Sequence, residues 1–210
     1  MSPIGIFGGT FDPIHYGHLR SAFEVLQALR LAEVRFVPSG DPPHRGNTFA
    51  SAELRYRMVE AAVVGQAGFS VDNRELRRDG PSYTVDTLES YRKEHGATSL
   101  CLIIGMDAFL GLTSWHRWGE ILNLAHIVIA YRPGWQLPDA GELGDLLAEA
   151  GTNRIEDLHA EPAGRVFDHA VTQLEIASTE IRNLIAAGRD PRFLMPDAVR
   201  DIIVESDCYT

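Results

Sequence analysis

Apolar positions along this chain fall into short runs, separated by stretches of helical period and by Gly/Pro punctuation. Ile4 to Phe7 is an apolar run that stops at Gly8-Gly9, the pattern of a buried strand entering a tight loop. Leu19, Ala22, Phe23, Leu26 and Leu29 then recur at three- and four-residue steps, which predicts a helix. Val34 to Val37 reads as a second strand, ended by Pro38-Ser39-Gly40. A loop through Pro42-Pro43 leads to a helix capped by Ser51, with Leu54, Met58 and Ala61 on one face. Phe69 to Val71 is a short third strand, and a helix starts near Thr84 and stops at Gly96. Leu100 to Ile104 is apolar throughout, as a strand covered on both faces must be. Beyond it come a helical stretch with Trp115 and Trp118, a strand at Ile127 to Ala130, and a surface helix around Leu143 to Ala148. The chain ends in strand-like patches at Val166-Phe167 and Leu174-Ile176, a helix from Ser178, and a final helix with Pro196 in its first turn.

Strands alternating with helices at this spacing predict an α/β fold: a doubly wound, Rossmann-like parallel sheet with helices on both faces. Residues 1–210 read as one domain, with a small helical C-terminal part, about 178–210, packed on it. In such sheets ligands sit beyond the C-terminal strand ends, where strand order reverses. That rule selects Gly8–His18, Pro38–Arg45 and Gly105–Asp107, all strand-exit segments.

Composition narrows the classes. The 210 residues are 45% hydrophobic, enough for a buried core and against disorder. No run approaches the ~18 apolar residues of a membrane span, and Met1 to Thr10 carries no leader-like basic region, so a cytoplasmic protein is expected. Cys101 and Cys208 form neither a disulfide framework nor a metal cluster by themselves. A net charge of −10 argues against nucleic acid as a partner. It does not exclude a small phosphorylated ligand. The excess acid lies in residues 139–161, with 1 arginine against 7 acids, and in 190–210, with 2 against 5. Residues 1–60 are balanced, with 6 arginines and 6 acids. Lys93 is the only lysine, which removes a Walker phosphate loop from consideration.

In Gly8-Gly9-Thr10-Phe11-Asp12-Pro13-Ile14-His15-Tyr16-Gly17-His18, paired glycines allow close backbone approach and the following helix offers N–H groups to an anion. If the helix has begun by His15, then His15 and His18 share a face beside this cradle. Imidazoles donate to phosphate oxygens in either protonation state. Each piece alone also reads as a plain turn or as surface histidines, and a zinc site lacks a third ligand beyond Asp12. Ser178-Thr179-Glu180-Ile181-Arg182 reads either as a capped helix start or as a second anion site with a guanidinium fork.

Taken whole, the first segment resembles the GxFxPxHxGH signature of the nucleotidyltransferase superfamily, in the form of the bacterial nicotinate-nucleotide adenylyltransferases. Residues 178–182 resemble the family's ISSTxIR motif, with Ala177 in place of its first serine. Pro42-Pro43-His44-Arg45 is similar to its PPHK loop, with Arg45 for lysine, and Pro81 to Leu88 matches a segment of the nicotinate-nucleotide branch rather than the phosphopantetheine branch. The resemblance implies transfer of the adenylyl group of ATP to nicotinate mononucleotide, giving nicotinate adenine dinucleotide and pyrophosphate. It implies catalytic roles for His15, His18 and Arg182, and an ATP cradle at Gly8, Gly9, Thr10 and Phe11. His44 and Ser178 would contact phosphate, Gly105 would lie in the ATP-binding site, and Asp107 would accept from ribose hydroxyls of the adenosine. Thr84, Trp115 and the backbone of His116 would face the pyridine ring and its carboxylate. From the residues alone, Trp115 reads as core packing with Trp118. Mg²⁺ is expected to bind mainly through the ATP phosphates, with no protein metal cluster, and a homo-oligomer stays open. The rivals are another adenylyl or cytidylyl transferase on the same scaffold and a non-catalytic nucleotide-binding module.

Overall fold

A computed structural model describes residues 2–42, 48–131, 134–172 and 174–210. The strands are β1 (Ile4–Gly9), β2 (Glu33–Pro38), β3 (Phe69–Val71), β4 (Leu100–Gly105), β5 (His126–Tyr131), β6 (Gly151–Thr152) and β7 (Val166–Ala170). They form one sheet in the order β3-β2-β1-β4-β5-β7-β6, and every pairing is parallel. The helices are α1 (Tyr16–Ala28), α2 (Ala52–Val63), α3 (Thr84–His95), α4 (Met106–Leu110), α5 (Ile121–Leu124), α6 (Gly141–Ala150), α7 (Ile155–Ala160), α8 (Ser178–Ala186) and α9 (Asp197–Ser206). The doubly wound α/β class read from the sequence is the observed one.

Alternation along the central strands divides the core in two. Cys101 and Ile103 of β4 face one way and pack with Ala22 and Val25 of α1, Met58 of α2, Ile181 of α8 and Val199 and Ile203 of α9. Leu100, Leu102 and Ile104 face the other way and pack with Leu88 and Tyr91 of α3, Phe109 of α4 and Ile121 of α5. Two-sided burial explains why β4 carries no polar residue.

Several predicted elements shift on inspection. Leu174 to Ile176 forms no strand; Ile176 packs against the core beside α8, so its apolarity serves packing rather than pairing. The 143–148 helix is longer, Gly141–Ala150, and the acidic segment also holds α7 and the edge strand β6, two residues long. Trp115 lies between two short 3-10 turns, Leu112–Ser114 and Trp118–Glu120, rather than inside a helix. Pro196 is the N-cap of α9, one position before its first turn. Ser51 caps α2 as expected, its Oγ accepting from the Leu54 N–H at 3.2 Å. Among the described residues no helix is long and apolar enough to cross a membrane.

Strand order reverses between β1 and β4. Their neighbouring C-terminal ends therefore send chain in opposite directions and leave a crevice between the loops.

Candidate functional site

A cleft of about 890 Å³ opens at that reversal, within the range of small-ligand sites. It is lined by Gly8, Gly9, Thr10, Phe11, His15 and His18 from the β1 end, and by Gly105 and Asp107 from the β4 end. Thr84, Trp115 and His116 line it on one side and Ser178 on another. Of the predicted residues, Arg182 is not among those lining it, and His44 lies outside the described residues.

Gly8 has open space where a Cβ would stand, and so does Gly105, so a side chain at either position would occupy the ligand's room. Phe11 has φ +49°, a left-handed conformation that non-glycine residues adopt only when held. Its buried ring does the holding, with centroids 5.7 Å from Phe7, 5.9 Å from Phe36 and 5.2 Å from His18. Gly9 is small because a Cβ would come within 2.9 Å of that ring.

His15 is the N-cap and α1 begins at Tyr16, so the premise that the helix has begun by His15 does not hold. The two imidazoles nonetheless meet, stacked with centroids 3.7 Å apart. Gly17 permits this, since a Cβ there would meet the His15 ring at 3.0 Å. The His15 backbone N–H donates to His18 Nδ1 at 3.3 Å. An acceptor at Nδ1 puts the proton of the neutral ring on Nε2, leaving that nitrogen as a donor.

Neither Ser178 nor Thr179 is the N-cap of α8, which is Ala177. Ser178 Oγ instead donates to the Pro13 carbonyl at 2.9 Å, tying the helix to the β1–α1 loop. Arg182 donates to the Asp12 carbonyl at 2.6 Å and to Thr179 Oγ1 at 3.2 Å, and its guanidinium stacks 4.4 Å over the Phe49 ring. It thus braces the same loop from behind the lining residues.

Four further groups hold the site in roles that the sequence does not assign to them. Arg55 of α2 is fully buried and donates to the Thr10 carbonyl at 2.7 Å, the Gly40 carbonyl at 3.2 Å and the Ala50 carbonyl at 3.3 Å. Burial pulls its guanidinium below the ordinary arginine pKa, against the opposing charge of Asp12. The Asp12 carboxylate, also buried, accepts from the Phe49 and Ala50 N–H groups at 2.9 and 3.2 Å and from the Tyr209 hydroxyl at 2.6 Å. Glu75 lines the cleft and accepts from Thr87 Oγ1 at 2.6 Å; burial raises its pKa, against lowering hydrogen bonds from Thr87 and Ser82. Ser82 Oγ accepts from the Gly40 and Asp41 N–H groups at 3.0 and 3.1 Å, clamping two strand-exit loops together.

The opposite side is built differently. The Tyr83 and His116 rings lie 4.3 Å apart, and Trp115 packs both into the cleft wall and against the core. Trp115 thus packs on the core, as the residues alone suggest, and also lines the cleft. Arg117, at φ +52°, donates to Glu89 Oε1 and Glu120 Oε2, both at 2.6 Å, and lies 3.5 Å from Asp86. Its hydrogen bonds to Glu120 and Glu89 raise its pKa. The pairs fasten the Trp115–His116 turn to α3. The N-terminal turn of that helix, whose first N–H groups have no helical acceptor, opens on the cleft at Thr84.

One end of the cleft thus offers amides, hydroxyls and imidazoles to phosphate, and the other offers aromatic faces and a helix N-terminus to a flat anionic ring. Among the described residues no three His, Cys, Asp or Glu side chains form a metal cluster.

Comparison with known proteins gives the following. The family model described as "Cytidylyltransferase-like" matches residues 6–184. A protein of Aeromonas hydrophila named "Probable nicotinate-nucleotide adenylyltransferase" is 49% identical over 207 residues, covering 99% of this chain and 97% of its own. One of the same name from Methylococcus capsulatus is 49% identical over 98% of this chain and 99% of its own. Among solved structures, Plasmodium falciparum nicotinic acid mononucleotide adenylyltransferase complexed with NaAD superposes with TM-score 0.75 at 16% identity. That match covers 100% of this chain and 98% of the other, a likeness of fold.

Proposed function

We infer the reaction from one premise: this chain belongs to the nicotinate-nucleotide adenylyltransferases, within the cytidylyltransferase-like family. It transfers the adenylyl group of ATP to nicotinate mononucleotide, giving nicotinate adenine dinucleotide and pyrophosphate. The observation that carries the reading is a single cleft in which the His15–His18 phosphate cradle faces the Thr84–Trp115–His116 ring subsite.

An acceptor phosphate oxygen attacks the α-phosphorus of ATP in line. A P–O bond forms there as the bond from the α-phosphorus to the bridging oxygen breaks, and pyrophosphate leaves with the electron pair. The nucleophile is already an anion, so no base is required. The protein's work is alignment and stabilisation of charge on the leaving group. His18 donates from Nε2, His15 stacks on it from the helix cap, and the α1 and α8 N-termini face the phosphates. Arg182 acts through the loop, bracing the Asp12 carbonyl from behind the residues that line the cleft. Asp107 accepts from ribose hydroxyls, and Trp115 stacks on the pyridine ring. Its carboxylate meets the His116 backbone and the first turn of α3 beside Thr84.

The phosphate end, built of amides, hydroxyls and imidazoles, suits a Mg²⁺ that arrives on ATP and keeps phosphate and water oxygens as ligands. When bound, that ion neutralises charge on the triphosphate. The reading also implies a cytoplasmic enzyme.

His18→Ala is expected to lower kcat at least ~10-fold with folding intact, the loss expected of a donor to developing charge. Turnover equal to the parent at saturating ATP rejects the role. Side-by-side rates with nicotinate mononucleotide, nicotinamide mononucleotide and phosphopantetheine test the acceptor, and absence of pyrophosphate with all three rejects the activity.

A further inference from the structure

Tyr209 reaches the β1–α1 loop that forms the phosphate end of the cleft. Tyr209 is penultimate, yet its ring is buried, and its hydroxyl donates to Asp12 Oδ1 at 2.6 Å across 197 sequence positions. Its φ is +78°, a conformation a non-glycine residue keeps only where its surroundings hold it. Burial and the neighbouring Asp12 push the phenol's pKa up, so it stays protonated and donates.

Asp12 lies at the centre of the β1–α1 loop, between Thr10 and Phe11, which line the cleft, and His15, which caps α1. Two of its bonds, from Phe49 and Ala50, come from the segment leading into α2. A third, to its carbonyl, comes from Arg182 of α8. The hydroxyl of Tyr209 adds a bond from the far end of the chain. α9 does not depend on that bond for its seat, since Val199 and Ile203 are buried in the core and the helix packs on α2. The hydroxyl is therefore separable from folding, and what it fixes is the rotation of the Asp12 carboxylate and the loop attached to it.

We propose that Tyr209 is a positioning residue for adenylyl transfer: through Asp12 it sets the loop that carries Thr10, Phe11, His15 and His18, so that docking of the segment after α9 completes the phosphate end of the cleft. This rests on the adenylyltransferase reading above. In-line displacement punishes small misplacements, so loosening this loop lowers turnover more than it lowers binding.

Tyr209→Phe keeps the buried ring and removes only the donor. The expected result is a fall in kcat of about three- to tenfold, KM for ATP and for the acceptor changed less than about twofold, and a melting temperature close to the parent's. Combined with Asp12→Asn, it should lower kcat by less than the product of the two single effects. Amide exchange at Phe49, Ala50 and residues 10–18 should quicken in Tyr209→Phe while exchange in β4 and β5 stays unchanged. Parental kcat, or a loss that tracks a lowered melting temperature, overturns the proposal. So do fully multiplicative effects in the double variant. If the parent chain itself makes no pyrophosphate, the functional reading fails. The exchange comparison then still decides whether the hydroxyl orders the loop.

Discussion

At the phosphate end of the cleft, Arg55, Asp12 and Ser178 join loops through hydrogen bonds that run mostly to main-chain groups, from side chains that in Arg55 and Asp12 are themselves buried. At the ring end, Arg117 joins the Trp115–His116 turn to α3 through carboxylates that share it with solvent, its own side chain being 36% exposed. The difference follows from the task each end performs. Charge must be met at fixed points during phosphoryl transfer, so donors there are anchored where water cannot compete. A stacked ring tolerates sliding, so its walls are held by bonds that salt and water weaken.

Arg55→Met should produce the largest effect and break the phosphate end. Three carbonyls, that of Ala50 buried, lose their donor and the charge of Asp12 loses a compensating guanidinium. A loss of about 3 kcal/mol or more in urea unfolding is expected. A loss under about 1 kcal/mol would mean that the carbonyls find other donors, and the contrast between the two ends would fall with it.

Arg117→Gln probes the ring end. KM for the acceptor should rise about two- to fivefold with kcat and KM for ATP nearly unchanged, the modest cost of exposed pairs. Added salt should erode the parent's advantage over this variant, because those pairs are screened. A fall in kcat with unchanged KM would place Arg117 with the phosphate machinery instead.

Glu75, beside both ends, should give the smallest effect, because hydrogen bonds from Thr87 and Ser82 offset much of its burial. Its folded pKa is raised above the ordinary value of 4.5. Stability from this group is therefore fully present below about that pH and is lost as pH rises through the folded pKa. Glu75→Gln should melt higher than the parent at pH 8, and the gap should close on acidification below pH ~4.5. A gap that widens in acid would show that the carboxylate, not the acid, is the form the fold favours.

Much of this arrangement is written locally. β4 announces itself because burial on both faces leaves no polar position, and the Gly8–His18 segment because a phosphate cradle demands glycine and imidazole at fixed steps. β6 is silent, since two residues at a sheet edge carry no period. Arg55 looks like any polar residue of a surface helix, indistinguishable from Arg57 two positions on, and only the packing of α2 beneath the loops separates them. Tyr209 is hidden for the same reason, in a polar tail whose single buried ring finds its partner by tertiary contact. The role of Arg182 as a brace on Asp12 is likewise invisible in its motif, which reports only a cation one turn into a helix.

The bond between Asp12 and Tyr209 also has an order in time. The loop is made 197 positions ahead of its hydroxyl partner. At ~5–20 residues per second, a growing chain waits on the order of ten seconds or more between the two. Every strand and all but the tail of the fold can be translated before that bond exists. A chain that has not yet reached Tyr209 has every strand and helix in hand and its first loop still waiting.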